Sequence, residues 1–312
     1  MNGSKSFEAL RIVFMGTPEF AVESLKAIIE AGGNVVAVVT APDKPAGRGM
    51  QLKKTPVKLF AEEKGLHILQ PEKLRAPEFI SELQSLKPDL NVVVAFRMLP
   101  EIVWNLPALG SINLHGSLLP QYRGAAPINW AVINGEKQTG VTTFKLTHEI
   151  DTGHVLESEK IDIGPEETAG ELHDKMMKTG AKLLVHTLKN LAAGKLIEQP
   201  QHFQDDQKHA PKIFTRDCEI NWNRSAEEVN NLIRGLSPYP GAFTEFEGKK
   251  LKILKASPVE SSLHLKPGEF ETDQKNYLRF ACAKGSIEVK SLQLEGKKLM
   301  SIEDFLRGYR FK

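Results

Sequence analysis

The sequence has little cysteine: two residues in 312, Cys218 and Cys282, far apart and near no Cys/His cluster. That excludes a disulfide framework and a zinc site of spaced thiolates, and predicts two reduced thiols. No apolar run approaches the ~18 residues that span a bilayer. The opening stretch Met1-Asn2-Gly3-Ser4-Lys5-Ser6-Phe7-Glu8 has no hydrophobic signal core, so a cytoplasmic protein is expected. Strong charge of one sign is missing too, at a net +2. There is no internal repeat, low-complexity tract or polybasic tail. Two glycine signatures are absent: no GxGxxG follows the first strand pattern, and no GxxxxGK[ST] loop occurs. Their absence disfavours dinucleotide and nucleoside-triphosphate sites.

What is present is ordinary globular material, 41% hydrophobic and 26% charged, enough for a core and in length enough for about two domains. Arg11 to Met15 is a β-rich run ending at Gly16. A helical pattern follows, with Phe20, Leu25, Ile28 and Ile29 on one face, Thr17 as expected N-cap and Pro18 at the first helical position. Further β runs lie at Asn34–Thr40, Leu90–Ala95 and Gly110–Leu114, with a helix over Pro56–Lys64. Strands alternating with helices predict βαβ units, an α/β fold of Rossmann-like type with a mostly parallel sheet. Another β run spans Val141–Leu146, and Thr168–Leu191 reads as a long helix stopping at Gly194.

The texture then changes. Residues 198–212 are polar, carry Pro200 and Pro211, and read as a linker. Residues 213–312 hold one helix, near Ala226–Arg234, and short strands at 242–246, 251–254, 277–280 and 286–289, which predicts a small β-barrel. From His209 onward there are 18 basic against 14 acidic residues, whereas the preceding part has 23 against 25. A basic C-terminal part suits a polyanion contact; a solvated surface is the plainer alternative.

Chemistry concentrates at Asn113-Leu114-His115-Gly116-Ser117-Leu118-Leu119-Pro120. Asn113 and His115 are two apart at a strand end, so both point to one face. Open α/β sheets bind ligands beyond the carboxyl ends of their strands. A capped strand end with a core histidine is the plainer reading. Asp151-Thr152-Gly153 follows a β run; a carboxylate there can orient or deprotonate a histidine, or simply belong to a turn. The loop Pro42–Lys54 is long and carries four basic residues, which suits phosphate contact or a mobile solvated loop.

Taken together these strings resemble the methionyl-tRNA formyltransferase family, a branch of the folate-dependent formyltransferases. The resemblance rests on Phe14-Met15-Gly16-Thr17-Pro18-Glu19-Phe20-Ala21, on Pro42 to Gly49, on Asn113 to Pro120 running on through Tyr122-Arg123-Gly124-Ala125-Ala126-Pro127-Ile128, and on Asp151-Thr152-Gly153. It covers nearly the whole chain. It implies a catalytic domain over 1–197, the linker at 198–212, and an OB-like tRNA-binding domain over 213–312. It implies Asn113, His115 and Asp151 as the catalytic trio, Ser117, Leu118, Leu119 and Pro120 as a folate-contacting segment, and Lys44 and Arg48 as loop contacts to tRNA. The implied reaction moves a formyl group from 10-formyltetrahydrofolate to the amine of initiator methionyl-tRNA, for translation initiation, with no metal and in a monomer.

One departure stands out. Ala95-Phe96-Arg97-Met98-Leu99-Pro100 places Arg97 where the family carries glycine, in a segment similar to one lining the folate pocket. Rival readings are a formyltransferase acting on a purine-precursor or sugar amine, a formyl-folate hydrolase sharing the trio, a non-catalytic RNA-binding protein, and a dehydrogenase. The basic loop and barrel disfavour the first two, the intact trio the third, and the missing glycine fingerprint the fourth.

Overall fold

The computed structural model describes residues 5–46, 51–202, 206–261 and 263–311. β1 (Ile12–Gly16) leads into α1 (Glu19–Glu30) and β2 (Val35–Val39). A small hairpin, β3 (Lys44–Ala46) with β4 (Gln51–Lys53), precedes α2 (Pro56–Glu63), β5 (Ile68–Leu69) and α3 (Pro77–Ser85). Then come β6 (Leu90–Val94), α4 (Glu101–Trp104), β7 (Ser111–His115), β8 (Arg123–Gly124), α5 (Pro127–Ile133), β9 (Gln138–Lys145), β10 (Val155–Asp162) and α6 (Ala169–Ala192). The remaining elements are β11 (His209–Ala210), α7 (Ala226–Gly235), β12 (Ala242–Phe246), β13 (Lys249–Val259), β14 (Phe270–Thr272), β15 (Leu278–Ala281), β16 (Ser286–Leu294), β17 (Met300–Ser301) and α8 (Ile302–Gly308).

The main sheet runs β10-β9-β7-β6-β1-β2-β5. β5, β2, β1, β6 and β7 are parallel, and β9 joins β7 antiparallel. This is the Rossmann-like, mostly parallel sheet expected from the alternating pattern. β1 and β6 are buried at all five positions, because helices cover both faces. Gly16 closes β1 where the chain turns tightly into α1: a Cβ there would meet the Ala21 Cβ at 2.6 Å and the Phe14 ring at 2.9 Å. The expected cap is corrected. α1 begins at Glu19 with Pro18, not Thr17, in the N-cap position, and no side chain caps it. Pro18 has no N–H to leave unpaired, and the Glu19 carboxylate meets the positive helix end.

By contacts the chain forms two compact units. The first comprises Met1–Arg123, Gly140–Ile161 and Asp174–Lys208; the second comprises Gly124–Thr139, Asp162–His173 and His209–Lys312. In the second, an antiparallel sheet runs β12-β13-β16-β15-β14, with β17 beside β16, and curls into a half-barrel of OB-like form. Its core is aromatic. The Phe246 ring meets Phe270, Phe280, Phe305, Tyr309 and Phe311, and Trp222 stacks on Phe280 at 4.7 Å. α7 is set by a Ser225/Glu228 capping box, and α5 packs on it: Asn129 donates to the Gly235 carbonyl at 2.8 Å. Cys218 and Cys282 are free and buried here; burial pushes the Cys282 thiol up to about 11. Among the described residues no helix is long and apolar enough to cross a membrane.

Candidate active site

β7 carries the site at its carboxyl end. Asn113 and His115 share one face, and the alternation that puts them there buries Ile112 and Leu114 on the other. Leu114 packs under α6 where Gly180 leaves room; a Cβ on Gly180 would come within 2.9 Å of it. Asn113 is half-buried between Val93 of β6 and Phe144 of β9. Among the described residues, nothing hydrogen-bonds its side-chain amide.

His115 is 7% exposed and stands edge-on to Phe144. Its Nε2 lies 3.0 Å from the Tyr122 carbonyl. A carbonyl only accepts, so Nε2 carries the proton and Nδ1 is the free edge. Nδ1 faces the Asp151 carboxylate at 3.8 Å, too long for a direct hydrogen bond. Tyr122 and Asp151 both adopt left-handed backbone conformations, with φ of +59° and +54°. Such conformations are costly for non-glycine residues and concentrate at functional sites.

The segment after His115 is tied down from within. Ser117 is fully buried; its hydroxyl donates to the Gln121 carbonyl at 2.5 Å, and its own carbonyl accepts from Thr142 at 2.7 Å. The Leu119 N–H donates back to Thr142 Oγ1, and Gln207 donates to the Pro120 carbonyl. Leu118, Leu119 and Pro120 are half-buried. The Ser117 side chain is therefore turned inward, and the Leu118 side chain lies over Gly140 of β9, where a Cβ would stand 2.4 Å from it.

Two residues to which the sequence reading gave no role complete the surroundings. Arg123, 7% exposed, donates through Nε and Nη2 to Gln201 Oε1 at 3.1 and 2.5 Å. Gln201 Nε2 then donates to the carbonyls of Asp151 at 2.9 Å and Gly153 at 2.7 Å. Burial pulls the Arg123 guanidinium below its usual value, while Asp151 and Glu149 act the other way. No sequence signal joins these residues, which lie 50 and 78 positions apart along the chain.

Lys44 is exposed on β3, directly opposite Lys53 of β4. Arg48 lies outside the described residues. The loop is anchored at its base: Asp43 accepts from Lys58 at 2.6 Å and Gln70 at 2.9 Å, which holds its carboxyl below the usual range. Arg97 donates to the carbonyls of Pro71 and, at 2.8 Å, Glu72. It thus links the loops after β5 and β6, a tie that glycine in its place cannot make. Among the described residues no group of three or more His, Cys, Asp or Glu side chains is placed to hold a metal ion.

Comparison with known proteins adds to this geometry. Residues 10–188 match the formyl transferase family and residues 212–310 match the formyl transferase C-terminal domain. The methionyl-tRNA formyltransferase of Bacteroides fragilis is 50% identical over 310 residues, covering 97% of this chain and 96% of that protein. The enzyme of the same name from Phocaeicola vulgatus is 52% identical over 311 residues, covering 96% of each. Among solved structures, the sugar 3N-formyltransferase WlaRD, crystallised with dTDP and 5-N-formyl-THF, superposes with a TM-score of 0.67. It is 19% identical, with 93% of this chain and 99% of that chain covered. HypX from Aquifex aeolicus in complex with tetrahydrofolic acid gives 0.63 at 18% identity, covering 97% of this chain and 48% of that one. At those identities the likeness extends to the fold.

Proposed function

The chain belongs to the formyl transferase family, and from that premise we propose how its residues carry out the reaction. It is a folate-dependent transferase that moves the formyl group of 10-formyltetrahydrofolate to the free amine of the methionyl moiety of initiator methionyl-tRNA. The observation that carries the site assignment is the grouping at the end of β7: an unengaged Asn113 amide, and His115 Nδ1 facing Asp151 across 3.8 Å.

The neutral amine attacks the formyl carbon, forming the new C–N bond while an oxyanion develops on the formyl oxygen. Asn113 donates to that oxygen. His115 Nε2–H is engaged by the Tyr122 carbonyl, so His115 meets the reacting groups through Nδ1, on the side that faces the Asp151 carboxylate. The amine N–H or a water set beside the pair can bridge Nδ1 and the carboxylate. Through it Asp151 relays the proton that the amine loses to the folate nitrogen, which gains it as its bond to carbon breaks. Leu118–Pro120 and the adjoining main chain border the folate.

Lys44 and Arg48 contact the tRNA. Two lysines held directly opposite each other on β3 and β4 repel, and a phosphate between them relieves this. The functional division we assign is 1–197 for the chemistry, 198–212 as linker and 213–312 for the tRNA body. The same reading places the protein in the cytoplasm, where its tRNA substrate is used, and has it act as a monomer.

The test is formylation of initiator methionyl-tRNA by 10-formyltetrahydrofolate, with Asn113→Ala, His115→Ala and Asp151→Ala beside the parent. Loss of one oxyanion donor costs on the order of 10²–10³ in kcat. Each variant is expected to lose at least that with its fold intact by circular dichroism. Near-parental turnover in all three sinks the assignment.

A further inference from the structure

The segment expected to be a plain linker starts inside the site. Gln199 pairs with Val155 through both backbone bonds, at 2.8 and 2.9 Å. That fixes the main chain two residues before Gln201 on the edge of β10. Gln201 then reaches the loop that carries Asp151. Its two donor bonds go to the carbonyls of Asp151 and Gly153, which flank the turn, and its acceptor takes two N–H groups of Arg123.

That turn needs an outside hold. Asp151 sits at φ +54°, a conformation that a non-glycine residue keeps only when its surroundings enforce it. Gly153 passes so close to β9 that a Cβ would stand 1.6 Å from the Lys145 carbonyl. The loop is therefore pressed against β9 on one side and clamped by Gln201 on the other. Arg123, buried and positively charged, polarises the Gln201 amide and strengthens both donated bonds. A shift of about 1 Å in a reacting group can cost on the order of 10²-fold in rate.

We propose that Gln201, held by Arg123, is a positioning residue that fixes the Asp151 backbone so that its carboxylate faces His115 Nδ1. This rests on the catalytic role assigned to Asp151 above. Gln201→Glu keeps the acceptor for Arg123, removes both donors and sets a carboxylate against two carbonyl oxygens. Gln201→Met removes donors and acceptor without adding charge.

Both variants are made in the full chain and assayed by steady-state formylation of initiator methionyl-tRNA, alone and combined with Asp151→Ala. Expected are a fall in kcat on the order of 10²-fold, KM for both substrates within about threefold of the parent, and no added loss when Gln201→Glu is placed on Asp151→Ala. Thermal unfolding identifies any variant that fails to fold, in which case the other supplies the cycle. If Asp151→Ala turns over at the parental rate, the catalytic role of Asp151 falls and this proposal with it. If Asp151→Ala is crippled but the Gln201 variants match the parent, or their losses multiply with that of Asp151→Ala, Gln201 is not a positioning residue and the catalytic reading stands.

Discussion

The two units use their sheets in opposite ways. In the first, β1 and β6 are buried along their whole length, so side chains on both faces are committed to packing. Chemistry is left only at the strand ends, where Asn113 and His115 sit. In the second unit, burial alternates along β12, with Ala242, Thr244 and Phe246 inside and Glu245 exposed. One face there holds the aromatic core and the other meets solvent with residues such as Glu245 and Lys250, which pair across β12 and β13. A parallel sheet offers a point-like site and an antiparallel one a broad face. That division suits a small acyl centre in one unit and an extended polyanion on the other.

The comparison breaks most visibly at Phe246, which is 2% exposed and touches five other rings. Phe246→Ala is expected to destabilise the second unit by about 3–5 kcal/mol, read as a lowered midpoint in urea unfolding. A loss below about 1 kcal/mol would mean that the ring cluster is not its core.

A smaller effect is expected on the outer face. Lys250→Glu should raise KM for methionyl-tRNA about threefold at low salt and leave KM for the folate unchanged. KM of the parent for tRNA should itself rise with salt. Equal effects on both substrates would remove the tRNA role from this face.

The smallest effect sharpens the comparison from the first unit. Burial acts to raise the Glu157 carboxyl, but hydrogen bonds from Thr187, His186 and Asn190 outweigh it and hold the group below its usual value. A depressed folded value contributes stability above the unfolded value of about 4.3, and that contribution is lost as pH falls through the folded value. Glu157→Gln should cost about 1 kcal/mol at neutral pH, with the gap to the parent closing below about pH 4. Thermal unfolding against pH measures it; a gap that widens in acid would reverse the sign.

Much of the fold was legible because it is written in local periodicity. The valine-rich runs became β2 and β6, the run over 110–114 became β7, the pattern over 168–191 became α6, and the 226–234 pattern became α7. Asn113 and His115 were legible as a pair because a strand repeats every two residues. The elements that lacked a clear period were not marked: β10, whose exposed Glu159 and Lys160 blur the alternation, and the short helices α3, α5 and α8. The shift of the α1 start from Pro18 to Glu19 is a one-residue matter of capping geometry.

The element types and the Asn113–His115 face follow from residues within a few positions of one another, and the basic C-terminal part follows from composition. Tertiary structure decided which distant residues meet. It set Asp151 before His115, drew Gln201 and Arg123 around Asp151, turned Ser117 inward, and grouped 124–139 and 162–173 with the C-terminal unit. These are contacts between groups far apart along the chain. They form because the assembled sheet pins the main chain on both sides, and buried polar groups such as the Arg123 guanidinium must then find partners wherever the fold supplies them.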